Sequence, residues 1–194
     1  MEGGETFTLT TGTNKFTGDS GDDTFDGGIS SSSLQTLNSG DSLDGGAGDD
    51  TLYAVITGSV TPSALKNIEN VSVTNTTTAA TMDFSNATGL SAVTNSASTV
   101  GLTMAGISAS GPTVTVRDTA IAGQVVTFND VTGSADSATV VINNVSGAAT
   151  LTVAGVETLT LQSDGSTANV IATLTTAAAT KLNVTGSIGL NTGT

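Results

Sequence analysis

Large apolar residues recur every nine positions through the first quarter of the chain: Phe7, Phe16, Phe25, Leu34, Leu43 and Leu52. Two positions before each lie Glu5, Asn14, Asp23, Ser32, Asp41 and Asp50, and four before lie Gly3, Gly12, Gly21, Ser30, Ser39 and Gly48. The pattern predicts very short strands, each turning its apolar side chain inward, joined by glycine turns that need positive φ. It degenerates between about Ser30 and Ser39. The Ser-rich stretch from Ile29 to Gly40 reads as an excursion from the regular turns, with a short helical piece around Leu34 to Leu37.

From Thr51 the acidic residues thin out and apolar residues alternate with polar ones at period two. That alternation predicts strands over Leu52–Thr57, Val71–Val73, Thr81–Phe84, Ala92–Thr94, Gly101–Met104, Thr113–Val116, Gln124–Phe128, Ala138–Ile142, Ala149–Val153, Thr158–Leu161, Asn169–Ala172 and Lys181–Val184. Regularly spaced short strands favour an all-β repeat, sandwich or barrel. An internal repeat chooses among them. Asn67-Ile68-Glu69-Asn70-Val71-Ser72-Val73 resembles Gly155-Val156-Glu157-Thr158-Leu159-Thr160-Leu161, and Asn86–Thr94 shares its small-then-apolar rhythm with Thr176–Thr185. Two strands of about ten residues make a coil of about twenty, which buries its faces only by stacking on other coils. The predicted fold is therefore all-β: a roll over residues 1–53 leading into a parallel β-solenoid over 54–194. An antiparallel β-sandwich is the alternative, although the tryptophan of an immunoglobulin-like core is missing.

Charge sharpens the reading of the first region. The chain carries −13 at neutral pH with four Lys plus Arg, which argues against nucleic acid and anionic membranes as partners. No apolar run approaches the ~20 residues of a membrane span. The acidic turns need a neutralising partner that the chain does not supply, and a divalent cation is the simplest. Gly45-Gly46-Ala47-Gly48-Asp49-Asp50-Thr51-Leu52-Tyr53 is a full match to the G-G-x-G-x-D-x-U-x nonapeptide of calcium-binding rolls, and Gly18–Asp26 matches except that Asp19 replaces the second glycine. Turn carbonyls and aspartates suit calcium, which takes about six to eight oxygens. The candidate metal-binding residues are Gly18, Asp19, Gly21, Asp22, Asp23, Asp41, Asp44, Gly45, Gly46, Gly48, Asp49 and Asp50. In a roll with two strands per turn, residues eighteen apart stack. Asp23 would then lie over Asp41 on one side, with Asn14, Ser32 and Asp50 on the other. Each side holds at most one full motif, so one or two ions are expected.

Other chemistries find little support. The chain has no His and no Cys, which excludes zinc sites of the usual kinds and triads built on those residues. The Gly45–Gly48 loop lacks the Lys-Ser/Thr of a phosphate loop, and Asp49 and Asp50 would repel phosphate. The pairs Asp22/Asp23 and Asp49/Asp50 are explained by their metal loops rather than by glycoside hydrolysis. Arg117-Asp118 reads as a turn ion pair. Glu69 and Glu157, at one repeat position, read as carboxylates capping backbone N–H groups. Asn70, Asn75, Asn86, Asn144 and Asn183 fall in N-x-S/T triplets of the kind a Ser/Thr-rich chain produces by chance.

Most of the chain resembles RTX-type surface-layer (S-layer) proteins and related exoproteins of Gram-negative bacteria, specifically in the first third and mainly in style after it. The resemblance rests on Thr6–Gly12, Phe16-Thr17-Gly18, Gly21–Phe25 and Asp41–Leu52, with Ile68–Val71 and Val156–Leu159 similar in style. It implies Ca2+ as the bound ion, type I secretion of a longer parent, an extracellular location on the cell surface, and assembly with other copies. Export, anchoring and any contact with cell-surface polysaccharide are expected from other parts of that parent. The functional expectation is a non-enzymatic calcium-binding structural module. A glycan- or host-binding adhesin segment is the second reading, and a polysaccharide-active β-helix enzyme the third.

Overall fold

The computed structural model describes residues 3–120, 122–129, 131–147 and 149–193. Among them there is no helix. Coils of parallel strands stack along one axis. The first three coils have two faces each: β1 (Thr6–Thr8) with β2 (Lys15–Thr17), β3 (Thr24–Gly27) with β4 (Ser42–Asp44), and β5 (Thr51–Ile56) with β6 (Ala64–Lys66). A third face opens in the fourth coil, which holds β7 (Asn70–Asn75), β8 (Ala80–Asp83) and β9 (Ala87–Thr88). Three coils of two longer strands follow: β10 (Ala92–Ser96) and β11 (Leu102–Ser108), β12 (Thr113–Arg117) and β13 (Gln124–Asn129), β14 (Ser137–Asn143) and β15 (Thr150–Ala154). The last coils hold β16 (Thr158–Asp164), β17 (Asn169–Ile171) and β18 (Thr173–Thr175), then β19 (Lys181–Gly186) and β20 (Leu190–Thr192).

One nine-stranded sheet, β1-β3-β5-β7-β10-β12-β14-β16-β19, runs the length of the molecule. Opposite it, β2-β4-β6-β9 covers the first half and β8-β11-β13-β15-β18 the second, while β17 and β20 close a short third side. The parallel solenoid is therefore the architecture, and the sandwich is not. Every pairing between these strands is parallel because each coil returns to its starting face before adding the next rung. The two-strand coil is broken by a third strand in the coils of β7–β9 and β16–β18.

Alternation explains the strands. In β7 the residues Val71, Val73 and Asn75 face in and Asn70, Ser72 and Thr74 face out. Inside, Phe25, Leu43, Leu52, Leu65, Val93, Val140 and Leu161 are fully buried, each in register with a like residue of the next coil. Burying one such side chain contributes about 1.5–3 kcal/mol. Phe7 stacks on Phe16 and Phe25 at ring-centroid distances of 5.3 and 5.1 Å.

The stretch after β3 is an excursion, but not a helical one. Ile29 and Gln35 form an antiparallel bridge, and Ser30 N–H donates to the Leu34 carbonyl while Leu34 N–H donates to the Ser30 hydroxyl, making a small hairpin that leaves the solenoid. Leu34, an inward position by the period of nine, is 56% exposed, and Leu37 is buried instead. The Gln35 side chain ties the hairpin down: its Oε1 accepts the N–H groups of Thr57 and Gly58 at 2.8 and 3.1 Å.

At several corners an inward asparagine or serine takes the place of an apolar residue, among them Asn75, Asn95, Ser163 and Asn169. Asn75 and Asn169 are fully buried. Asn169 Oδ1 accepts Val145 N–H at 2.7 Å, while Nδ2 donates to the Ser163 hydroxyl and to the Ile142 and Asp164 carbonyls. These side chains complete backbone groups that a sharp corner leaves unpaired. Burial of Asn75 also removes it as a glycosylation acceptor in the folded chain.

Candidate metal centre

The excursion decides the geometry of the acidic turns. Pairing partners lie 18 residues apart between β1 and β3, as in Thr6 with Thr24, but 27 apart between β3 and β5, as in Thr24 with Thr51. Nine extra residues amount to half a coil of the regular roll, so every later nonapeptide changes side. Asp23 stacks on Asp50 and not on Asp41; Asn14 stacks on Asp41 and not on Asp50. Ser32 lies exposed in the hairpin and joins neither column. The two best nonapeptide loops, Gly18–Asp23 and Gly45–Asp50, are thereby superposed.

The loops bond tightly to each other. Gly18 N–H donates to the Asp44 carbonyl at 2.8 Å and Gly45 N–H to the Lys66 carbonyl at 2.9 Å. Ala47 N–H donates to the Asp19 carbonyl at 2.9 Å, and Asp49 N–H to Asp22 Oδ1 at 2.9 Å. Gly46 and Gly48 adopt φ of 94° and 145°, which costs any residue with a Cβ. Asp22 and Asp49 face solvent, and Asp19 and Asp44 are half-buried. Asp19 Oδ1 accepts Gly21 N–H at 2.7 Å. Asp44 Oδ1 accepts the Asn67 side-chain amide at 2.8 Å.

A column of carboxylates runs beneath these loops. Asp23 Oδ1 accepts Glu5 N–H at 2.6 Å and its Oδ2 accepts Asp19 N–H at 2.9 Å. Asp50 Oδ1 accepts Asp23 N–H at 2.6 Å, and Glu69 Oε2 accepts Asp50 N–H at 2.8 Å. Glu69 is thus the capping carboxylate expected from sequence, and Glu157 repeats its role by accepting Asp136 N–H at 3.0 Å. The second column is closed by amides. Asp41 Oδ1 accepts Asn14 N–H at 2.7 Å and Oδ2 accepts Asn38 N–H at 2.7 Å.

Asp50 differs from Asp23 and Asp41 in one atom. It is fully buried, yet its Oδ2 has no hydrogen-bond partner. Beside that oxygen lies Gly45: a Cβ there would overlap both Asp50 Oδ2 and the Asn67 carbonyl oxygen. At the equivalent place one rung earlier, a Cβ on Gly18 would overlap Asp23 Oδ2 and the Gly45 carbonyl oxygen. Each glycine therefore lets one carboxylate oxygen and one carbonyl oxygen of the next coil approach the backbone closely. Such all-oxygen, mixed side-chain and main-chain surroundings fit Ca2+. Among the described residues no three Asp or Glu side chains converge as a ligand set, so carbonyls must supply much of the coordination. Asp136 Oδ2 is also buried and without a partner; no nonapeptide surrounds it.

Electrostatics point the same way. Among the described residues the ion pair is Arg117 with Asp118, at 3.8 Å and on the surface; none neutralises the acidic turns. Burial pushes the Asp50 carboxyl above its usual value, the Asp23 N–H pulls it back, and the charges of Asp23, Glu69 and Asp22 push it further up. A folded pKa above the unfolded one makes a stability contribution that is present below the unfolded value and lost as pH rises through the folded value. In chelator, then, acidification from neutral pH into the carboxylate range should raise the melting temperature of the first coils. A flat or opposite profile in that window would contradict this.

The RTX calcium-binding nonapeptide repeat (4 copies) matches residues 1–32 and 33–54. No curated protein and no solved structure gives a significant match to the chain. The family match covers both nonapeptide loops with Asp23 and Asp50 and ends before Asn67, and Ca2+ is the ion it indicates. Residues 1–54 of this chain are an RTX-type calcium-binding segment at the head of a parallel β-solenoid.

Proposed function

We propose that the chain is a non-enzymatic structural segment of an extracellular surface-layer or matrix protein, stiffened by calcium and associating with its own copies. The observation that carries the calcium-dependent part is the buried, unpartnered Asp50 Oδ2 beside Gly45 and the Asn67 carbonyl. That oxygen is a cost to the fold until a cation meets it. Arg117, the one arginine, is held by the Ser96 hydroxyl at 3.1 Å and by Asp118, as in a surface ion pair.

Self-association finds support in the distribution of charge. On the sheet β8-β11-β13-β15-β18, the outward positions Thr81, Thr103, Val125, Thr152 and Thr175 form one uncharged, β-branched row in register. A molecule of net charge −13 meets least repulsion there, and calcium lowers the repulsion elsewhere. The face is small beside the ~800 Å2 per partner of a standard interface, so contacts should be weak singly and cumulative in an array. Sedimentation at high protein concentration in millimolar calcium should show reversible oligomers. Val125→Lys together with Thr103→Lys should return it to monomer. Strictly monomeric protein under those conditions would remove this part of the reading while leaving calcium binding untouched.

A further inference from the structure

We propose that the outer face of the nine-stranded sheet, between Tyr53 and Arg117, is a binding site for a neutral oligosaccharide. A groove of about 440 Å3 crosses this face and is lined by residues of β5, β7, β10, β12 and β14. Volumes of ~300–1,000 Å3 are usual for small-ligand sites. The register places Tyr53, Ser72, Thr94 and Thr115 in one row along the solenoid axis. Adjacent strands repeat every ~4.8 Å, so the row offers a line of hydroxyl groups at that spacing.

The shape comes from side-chain size. Ser72 and Ala92 make a low floor. Tyr53 stands at one end with 54% of its surface exposed, the most exposed aromatic residue among those described. Arg117 stands at the other, its Nε donating to the Ser96 hydroxyl. A sugar ring has apolar C–H faces and a rim of hydroxyls. It needs an aromatic plate for the one and uncharged donors and acceptors for the other, and Tyr53 followed by Ser72, Thr94 and Thr115 supplies both.

The surroundings select among occupants. Asp26 is the strand neighbour of Tyr53, and Asp118 lies 3.8 Å from Arg117. The groove lining carries one charged group, Arg117, whose charge is offset by Asp118, and the molecule as a whole carries −13, so an acidic glycan or a nucleic acid fits poorly. A protein partner fits poorly as well. Four strand spacings, from β5 to β14, give a length of ~19 Å, and such a patch is a fraction of the ~800 Å2 per partner that a stable interface needs. A short neutral glycan matches in both size and charge.

The chain has one tyrosine and no tryptophan, so Tyr53 emission reports directly on the groove. The probes are maltohexaose, cellohexaose and hexa-N-acetylchitohexaose as neutral chains, and hexagalacturonate as the acidic one, each titrated into the calcium-loaded protein. At least one neutral probe should change Tyr53 emission saturably, with an affinity that barely depends on salt. Calorimetry should then show a loss of about tenfold or more for Tyr53→Ala. It should show a comparable loss for Ala92→Gln, which fills the floor. Calcium-dependent melting of both variants should match the parent, and Ala92→Gln stands alone if Tyr53→Ala fails to fold. Binding by none of the neutral probes, binding of hexagalacturonate alone, or binding that survives the floor-filling variant would overturn the proposal.

Discussion

Chelating calcium should lower the melting temperature by about 5–10 °C and raise amide exchange mainly before Tyr53. At about 100 times its dissociation constant, one bound ion stabilises a fold by about 2.7 kcal/mol. For a domain of ~150–250 residues each kcal/mol shifts the melting temperature by about 2–4 °C. The effect should be local, because a solenoid coil contacts only its neighbours. The coils after β7 should exchange much as before. Asp50 allows a sharper test. Asp50→Asn removes a buried charge that faces Asp23, Glu69 and Asp22. It should therefore raise the melting temperature in chelator and at the same time abolish most of the calcium-dependent increment. Gly45→Ala puts a methyl group on the Asn67 carbonyl and Asp50 Oδ2 and should lose the increment without the compensating gain. Asp118→Asn, on the surface and far along the chain, should leave the calcium response intact. Calorimetry that detects no calcium binding, or exchange before Tyr53 that ignores chelator, would remove the basis of the whole reading.

Asn169→Ala should destabilise the C-terminal coils by about 3 kcal/mol or more, in calcium and in chelator alike. Truncation strands the Val145 N–H and removes the donor shared by the Ser163 hydroxyl and the Ile142 and Asp164 carbonyls. Each buried polar group left without a partner costs about 1–3 kcal/mol. Asn169→Asp keeps the shape and the acceptor for Val145, but loses the donor and buries a charge, so it should do no better than alanine. Asn183→Ala, on the outward side of β19, should cost little. Amide exchange separates the outcomes: protection should fall from β14 to β17 in both Asn169 variants and stay unchanged in the first three coils. A stability loss below about 1 kcal/mol in Asn169→Ala would show that water replaces the amide at this corner.

Much of this architecture is legible in the chain because it is local. Alternation of Val, Ile and Leu with Thr, Ser and Asn locates the strands from β5 onward that have at least five residues, since a strand turns successive side chains to opposite faces. The short strands β6, β9, β18 and β20 carry too few alternating positions to stand out. Glu69 and Glu157 are recognisable as caps because each precedes an apolar-x-apolar strand at the same place in its coil. The glycines and aspartates of the nonapeptides likewise announce a cation, since only glycine admits φ of the kind seen at Gly46 and Gly48.

Local pattern thus sets which residues face in and which face out, and it supplies the acidic glycine turns. Which turns meet depends on how the coils stack. Leu34 keeps the period of nine through the Ser-rich stretch, so the local pattern reads straight on and pairs Asp23 with Asp41. In the fold, residues from Ile29 to Gln35 leave the stack as a hairpin, Leu37 takes the inward place, and Gln35 fastens the excursion to Thr57 and Gly58. The physical reason is that coil length is set by lateral hydrogen bonds between rungs, which form wherever the next strand can pair. A single coil's sequence carries no record of that choice. Half a coil of extra chain moves Asp50 across the roll and onto Asp23, and that displacement brings the two strongest calcium loops together.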